Sequence, residues 1–168
     1  MLKSYILTLH EYNVWANARI MAQVEKLSTG QFLEPLSPTH PSFRETLLHV
    51  LAAEWIWRQR CQEGVSPTAL FDGADFPTLQ SIQTLWAEER QKLMAYVAAL
   101  DETALASHIA YQTTGGRPMQ DNLGEILIHV VMHGMQHRGE LAMRLTDYGH
   151  SPGEIDLIRF AQARDKRS

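Results

Sequence analysis

Apolar side chains recur at helical spacing along residues 121–147: Leu123, Ile126, Leu127, Val130, Gly134, Leu141 and Leu145. So long and so regular a stripe specifies one amphipathic helix, whose apolar side has to be buried against other helices. The same stretch carries His129, His133 and His137, followed at once by Arg138, Gly139 and Glu140. Side chains four apart on a helix are separated by about 40° around the axis and about 6 Å along it, so the three imidazoles share one side. At about 100° per residue, His137 falls roughly 35° from the centre of the apolar face, His133 roughly 75° and His129 roughly 115°. His137 and His133 therefore point into a bundle or its edge, and His129 sits at the flank.

The rest of the chain is also mostly helical in pattern. Residues 2–27 place Ile6, Leu9, Ala16, Ile20, Val24 and Leu27 on one stripe, with Asn13 as a polar intruder. Pro35, Pro38 and Pro41 break the chain. Ser42 then offers an N-cap, with Glu45 three residues on completing a capping box. A helix over about 42–62 turns Leu48, Leu51, Ala52 and Trp55 to its apolar side and ends at Gly64 and Pro67. A third, over about 78–100, carries Ile82, Leu85, Trp86, Leu93, Val97 and Leu100. Residues 104–120 alternate around Ile109, Tyr111 and Thr113 before Gly115-Gly116, which reads as a small hairpin or an ordered loop. Asp121 or Asn122 opens the histidine helix, Gly149 closes it, and a short last helix runs from Pro152 to about Ala163. The expected fold is all-α: a four-helix bundle with a short additional C-terminal helix, forming a single domain over residues 1–168.

Composition excludes several function classes. With 15 Lys and Arg against 19 Asp and Glu, the net charge is -4, and the cluster Arg164-Asp165-Lys166-Arg167 is a solvated tail, so no nucleic-acid partner is expected. No apolar run approaches a membrane span, and the N-terminus lacks the continuous apolar segment of a signal peptide. Cys61 is the only cysteine, which excludes an internal disulfide framework. A cytoplasmic protein without a membrane partner is the resulting expectation.

Stacked imidazoles are most useful as nitrogen donors to a divalent transition metal. A pair at i, i+4 can share one ion, as in H-E-x-x-H zinc sites. The outer two of three cannot easily do so, being about 12 Å apart along the axis. The third donor should come from another helix, and His49, between Leu48 and Val50, is the candidate. Three histidines leave coordination positions open, as catalysis requires. The alternative is that these are hydrogen-bonded imidazoles with no metal. His10, His40, His108 and His150 are scattered and read as surface residues. Cys61 lies over three turns beyond His49 and is not expected to be a nucleophile.

The string His129-Val-Val-Met-His133-Gly-Met-Gln-His137-Arg-Gly-Glu140 resembles the signature helix of the DinB/YfiT-like metalloenzymes, which usually reads H-x3-H-x3-H-R-G-Q. Leu47 to Trp57 resembles that family's second helix, and Tyr12-Asn13-Val14-Trp15-Ala16-Asn17 its first. The resemblance covers the whole chain in order and spacing. It implies an up-down bundle with an unusual connection order, often a homodimer, and a metal held by His49, His133 and His137. Nickel, zinc or iron would suit such ligands. It also implies a metal-dependent enzyme, with thiol-dependent S-transferase-like chemistry on a low-molecular-weight thiol or hydrolase-like chemistry. The competing functions are a non-catalytic metal- or ligand-binding stress-response module, and an interaction scaffold.

Glu140 stands where that signature has Gln. It could hold an imidazole N–H, approach the metal, act as a base, or simply pair with Arg144 at i+4. Arg138 reads as structural or as part of a dimer surface, and Gly139 as a close-packing residue. Trp55 reads as core, whereas Trp57 reads as a pocket or oligomer contact. His129 is a flanking or pocket residue. Asn13 either reaches the site or is a satisfied buried amide.

Overall fold

The computed structural model describes residues 1–37 and 40–166, and the side chains of residues 36, 37 and 40 lie outside that description. Four long helices make the bundle: α1 (Leu2–Val24), α3 (Phe43–Arg58), α4 (Leu79–Ala99) and α6 (Leu123–Asp147). Between α1 and α3 come a short α2 (Thr29–Leu33) and the hairpin β1 (Pro35–Ser37) and β2 (His40–Ser42). A π-helical turn, Gln59–Glu63, continues α3 and ends at Gly64 in the left-handed conformation. After α4 come α5 (Glu102–Leu105) and the antiparallel hairpin of β3 (His108–Gln112) and β4 (Pro118–Asn122), which runs directly into α6. The chain closes with α7 (Leu157–Asp165). Among the described residues no helix is long and apolar enough to cross a membrane.

Local signals set most of these boundaries. The Ser42–Glu45 capping box forms as expected: the Ser42 hydroxyl accepts from Glu45 N, and Glu45 accepts from Ser42 N. Asn122, rather than Asp121, caps α6 by accepting from Glu125 N. Residues 104–120 resolve into α5 and the β3–β4 hairpin. The last helix starts later than Pro152: Gly153 takes a positive φ of 71°, and Arg19 donates to the Pro152 carbonyl at 2.8 Å, so this stretch cannot be helical. The α2 turn and first hairpin occupy a segment that the prolines marked only as broken. Pro38, His40's surface reading and Arg167 of the C-terminal tail fall outside the described residues or side chains.

In the bundle α1 packs against α4 and α6, and α3 packs against the same two, so α1 faces α3 across the core. Neighbours in sequence are thus not always neighbours in space, which is the unusual connection order of this all-α fold. Apolar clusters fill both ends. Ile20, Val24, Phe43, Leu47, Leu51, Ile82 and Leu145 occupy one end; Ile6, Leu93, Val97, Leu105, Leu123 and Leu127 occupy the other.

A buried polar layer adds contacts from all four long helices. Glu54 of α3 accepts from Asn13 Nδ2 at 2.7 Å and Asn17 Nδ2 at 3.2 Å, both on α1, and from Trp86 Nε1 of α4 at 2.8 Å. Arg138 of α6 donates from Nη1 to Asn13 Oδ1 at 2.5 Å and Asn17 Oδ1 at 2.8 Å, with its guanidinium over the Tyr12 ring. Burial pushes the Glu54 carboxyl above its ordinary range, and these donors work against that shift. Arg138 is therefore an interior residue, not part of a dimer surface. The glycine that permits close packing is Gly134, where a Cβ would meet Arg138 Nη1 at 2.8 Å and Asn13 Oδ1 at 3.0 Å. At Gly139 a Cβ would meet nothing within 4 Å, contrary to the expectation from sequence.

Two further expectations need correction. His10 is 1% exposed, not a surface residue, because it lies on the same α1 stripe as Ile6 and Asn13; its Nε2 pairs with the Leu127 carbonyl at 3.1 Å. Trp55 is only half-buried, against Phe71, because Glu54 takes the inward position on α3. Of the other scattered histidines, His108 is exposed and His150 half-buried.

Gly134→Ala should lower the unfolding free energy by about 1–2 kcal/mol, because the pinned Arg138 and Asn13 groups must shift. Gly139→Ala should instead gain up to about 1 kcal/mol from helix propensity. Chemical denaturation of the two variants checks this contrast. Burial also lowers the His10 pKa from 6.5 to about 4, so the unfolded chain takes up the proton first as pH falls. His10 should then contribute stability above pH 6.5 that is lost towards pH 4, at up to about 1.4 kcal/mol per pH unit and about 3 kcal/mol in all. Denaturation curves of wild type and His10→Gln across that window should differ in slope by this amount; parallel curves would refute it.

Candidate metal centre

The adjacent helices α3 and α6 bring three imidazoles together. His49 Nε2 lies 2.9 Å from His133 Nε2, which lies 3.2 Å from His137 Nε2. The ligand atoms of all three fall within 4.8 Å of one another. His137 and His133 are partly buried and His49 is exposed, so the cluster sits at the bundle edge, as the angles around α6 required.

Proton bookkeeping shows what this cluster suits. His137 Nδ1 lies 2.8 Å from Glu140 Oε2, so a neutral His137 donates its one proton there and turns a lone pair at Nε2 towards His133. His133 Nε2 faces both neighbours and can carry only one proton. At least one contact is therefore left without a well-formed hydrogen bond, unless a cation takes the lone pairs. Burial, and then the neighbouring His137, His49 and His129, holds His133 down at about 4. Burial and His137 also lower His49. Both are thus neutral near pH 7 and present lone pairs, the form a metal requires. Two zinc-bound nitrogens at about 2.05 Å in a tetrahedral site stand about 3.3 Å apart, close to the His133–His137 spacing. The donor set fits a divalent transition metal, and imidazole nitrogens alone do not choose among nickel, zinc and iron.

Glu140 bonds to His137 and not to Arg144, which turns to Tyr148 and Asp147. Such a carboxylate fixes tautomer and ring orientation. His133 Nδ1, by contrast, is buried with no partner among the described residues. His129 is exposed and contributes no nitrogen to the cluster; its ring stacks edgewise on Trp57 at 5.9 Å. Asn13 belongs to the Glu54 layer, so the buried-amide alternative holds. Cys61 is half-buried, and burial pushes its thiol up to about 12, which agrees with its exclusion as a nucleophile.

An open cleft of about 240 Å³ adjoins the histidines. His49, His133, His129, Trp57 and Arg60 line it together with Thr113 and Thr114 from the hairpin turn. Trp57 and His129 are thus pocket residues. Sequence reasoning missed Arg60 and the hairpin residues; the only available signal was that Arg60 follows Trp57 by three on the same helical side. A second cleft of about 290 Å³, between α1 and α4, is lined by Asn17, Glu54 and Trp86, whose polar atoms are already bonded to one another.

Comparison with known proteins bears on the family and the fold. The profile of the DinB family matches residues 1–167. Protein DinB of Bacillus subtilis (strain 168) is 22% identical over 173 residues, covering 98% of this chain and 99% of that protein. Among solved structures, YfiT from Bacillus subtilis superposes with a TM-score of 0.65 at 14% identity, over 89% of each chain. YfiT is described as a probable metal-dependent hydrolase with an unusual four-helix bundle topology. By its sequence profile over nearly its whole length, this chain belongs to the DinB family.

Proposed function

We propose that this protein is a metal-dependent enzyme in which His49, His133 and His137 hold one divalent transition-metal ion. The observation that carries this reading is the convergence of three imidazole nitrogens beside an open cleft. When bound, such an ion supplies a Lewis acid that acidifies water or a thiol and polarises a carbonyl. The description of YfiT favours hydrolase-like chemistry; a low-molecular-weight thiol in place of water would give S-transfer at the same site. A non-catalytic metal site would more typically be closed, and the adjoining cleft argues for catalysis.

The chain's own residues divide the remaining work. Glu140 holds the Nδ1 proton of His137 and keeps its Nε2 lone pair aimed at the shared centre. Its carboxylate is one-third exposed and adjoins His137, so it can also accept a proton from a nucleophile held at the shared centre. Trp57 and His129, in edge-to-face contact, form an aromatic wall of the cleft.

Elemental analysis of protein purified without a His tag should find about one metal per chain, lost in the His133→Ala/His137→Ala double variant. No bound metal, even after dialysis against zinc, nickel or iron(II), would remove this reading. Glu140→Ala should weaken metal affinity about 10–100-fold. Glu140→Gln retains an oxygen that accepts the His137 proton and should hold metal better. If Glu140 is also the base, that variant will keep its metal and lose kcat; competitive chelation and turnover with thiol or ester substrates measure the two effects.

A further inference from the structure

Arg58, Arg60 and Arg138 are buried, at 5%, 6% and 2% exposure. Two of them donate to side-chain acceptors. Arg58 makes paired bonds to Glu89, at 2.5 and 3.0 Å, and Arg138 donates from Nη1 to Asn13 and Asn17, although its Nε and Nη2 lack a partner among the described residues. Arg60 has no hydrogen bond or ion pair among the described residues, and its Nε is buried without an acceptor. Its guanidinium is instead held by two rings, 4.9 Å from the centroid of Trp57 and 5.0 Å from that of Tyr111. Such contacts offset part of the desolvation of a charge, but they supply no acceptor for its N–H groups. The hydroxyl of Tyr111 donates to the Asp121 carboxylate at 2.7 Å. Burial accordingly holds the guanidinium below its ordinary range, opposed only by Tyr111 and Cys61.

The local backbone keeps this arrangement in place. The π-helical turn closes with Val65 N bonded to Gln59 O, and Gln112 N of β3 bonds to Ser66 Oγ just beyond it. These bonds fix the backbone that carries Arg60 beside the hairpin. Arg60 lines the same cleft as His49 and His133, with the Thr113 and Thr114 side chains as neighbours. A planar guanidinium with five donors matches a carboxylate or phosphate better than any neutral group. At about 240 Å³ the cleft lies below the roughly 300 Å³ lower end of drug-sized pockets, which points to a small ligand.

We propose that Arg60 is an oxyanion-binding subsite, receiving the carboxylate or phosphate of a small substrate whose reacting end faces the three histidines. The substrate role rests on the metal-dependent reading above; the anion site itself does not. It is tested on metal-free, chelator-treated protein by titrating succinate, inorganic phosphate and neutral succinamide at constant ionic strength. The readout is the Arg60 Nε–H resonance, identified by its loss in Arg60→Met. Succinate or phosphate should shift it saturably, with half-saturation below about 10 mM, and succinamide should not. The tighter of the two anions distinguishes a carboxylate from a phosphate subsite. Trp57 fluorescence should follow the same titration in wild type and not in Arg60→Met; Arg60→Lys, which keeps the charge but not the fork, should bind more weakly. Because it removes a buried charge that only ring contacts offset, Arg60→Met should fold with an equal or higher Tm. The absence of a saturable shift with either anion, or an unchanged fluorescence titration in Arg60→Met, would overturn the proposal. Saturable binding in a protein that takes up no metal would support the anion site and remove only the metal-dependent reading. Bound metal with a silent Arg60 resonance would do the reverse.

Discussion

The carboxylate of Glu54 is the point at which the four long helices of this protein meet. It sits in the core at 3% exposure and gathers donors from α1 and α4, while Arg138 of α6 enters through the same two asparagines. A buried carboxylate is tolerated only when its lone pairs are met, and an incompletely bonded network of this kind is worse than an apolar core. Each helix is therefore fixed in depth and in rotation about its own axis. An apolar core alone leaves such rotations loosely specified, because Leu and Ile contacts have little directionality.

That rotational constraint positions the histidines. Arg138 follows His137 directly, so pinning Arg138 inward sets the azimuth of His137 and of His133 one turn earlier. Glu54 lies on α3 five residues after His49 and does the same for that helix. The imidazole contacts of 2.9 and 3.2 Å thus depend on a polar layer that touches none of the three rings. Gly134 is the steric condition for the layer, since any side chain there would occupy the space of Arg138 and Asn13.

The two polar regions differ in what is left unsatisfied. In the Glu54 layer the carboxylate meets three donors, and only Arg138 Nε and Nη2 lack a partner among the described residues. At the cleft, lone pairs face one another in the histidine cluster, His133 Nδ1 has no partner among the described residues, and a guanidinium is stacked between rings without an acceptor. Local arrangements of this kind are unfavourable on their own and concentrate at functional sites, where a ligand completes them. The apolar clusters at both ends of the bundle carry the stability that lets the cleft remain incomplete.

Periodicity is a local property, and whatever follows from it was legible in the chain. The four long helices, the Ser42–Glu45 box, a cap at Asp121 or Asn122 and the ranking of His137 and His133 over His129 all follow from about 100° per residue and from capping chemistry. His49 stood out as a histidine between Leu48 and Val50 inside a helix, and the family's sequence pattern agreed. The choice of partner across the bundle was not legible, because it depends on how helices distant in sequence are packed. Glu140 had two partners within reach of its own helix, and only the fold directs it to His137. His10 and Asn13 were visible as polar residues near an apolar stripe, but their burial depended on α6 and α3 supplying a carbonyl and a carboxylate. Arg60 was inconspicuous until the β3–β4 hairpin, fifty residues later in the chain, placed Tyr111 against it. The sequence by itself determined which side chains point the same way along each helix; the tertiary structure decided which of them meet, because contacts across the bundle depend on packing geometry that no local period encodes.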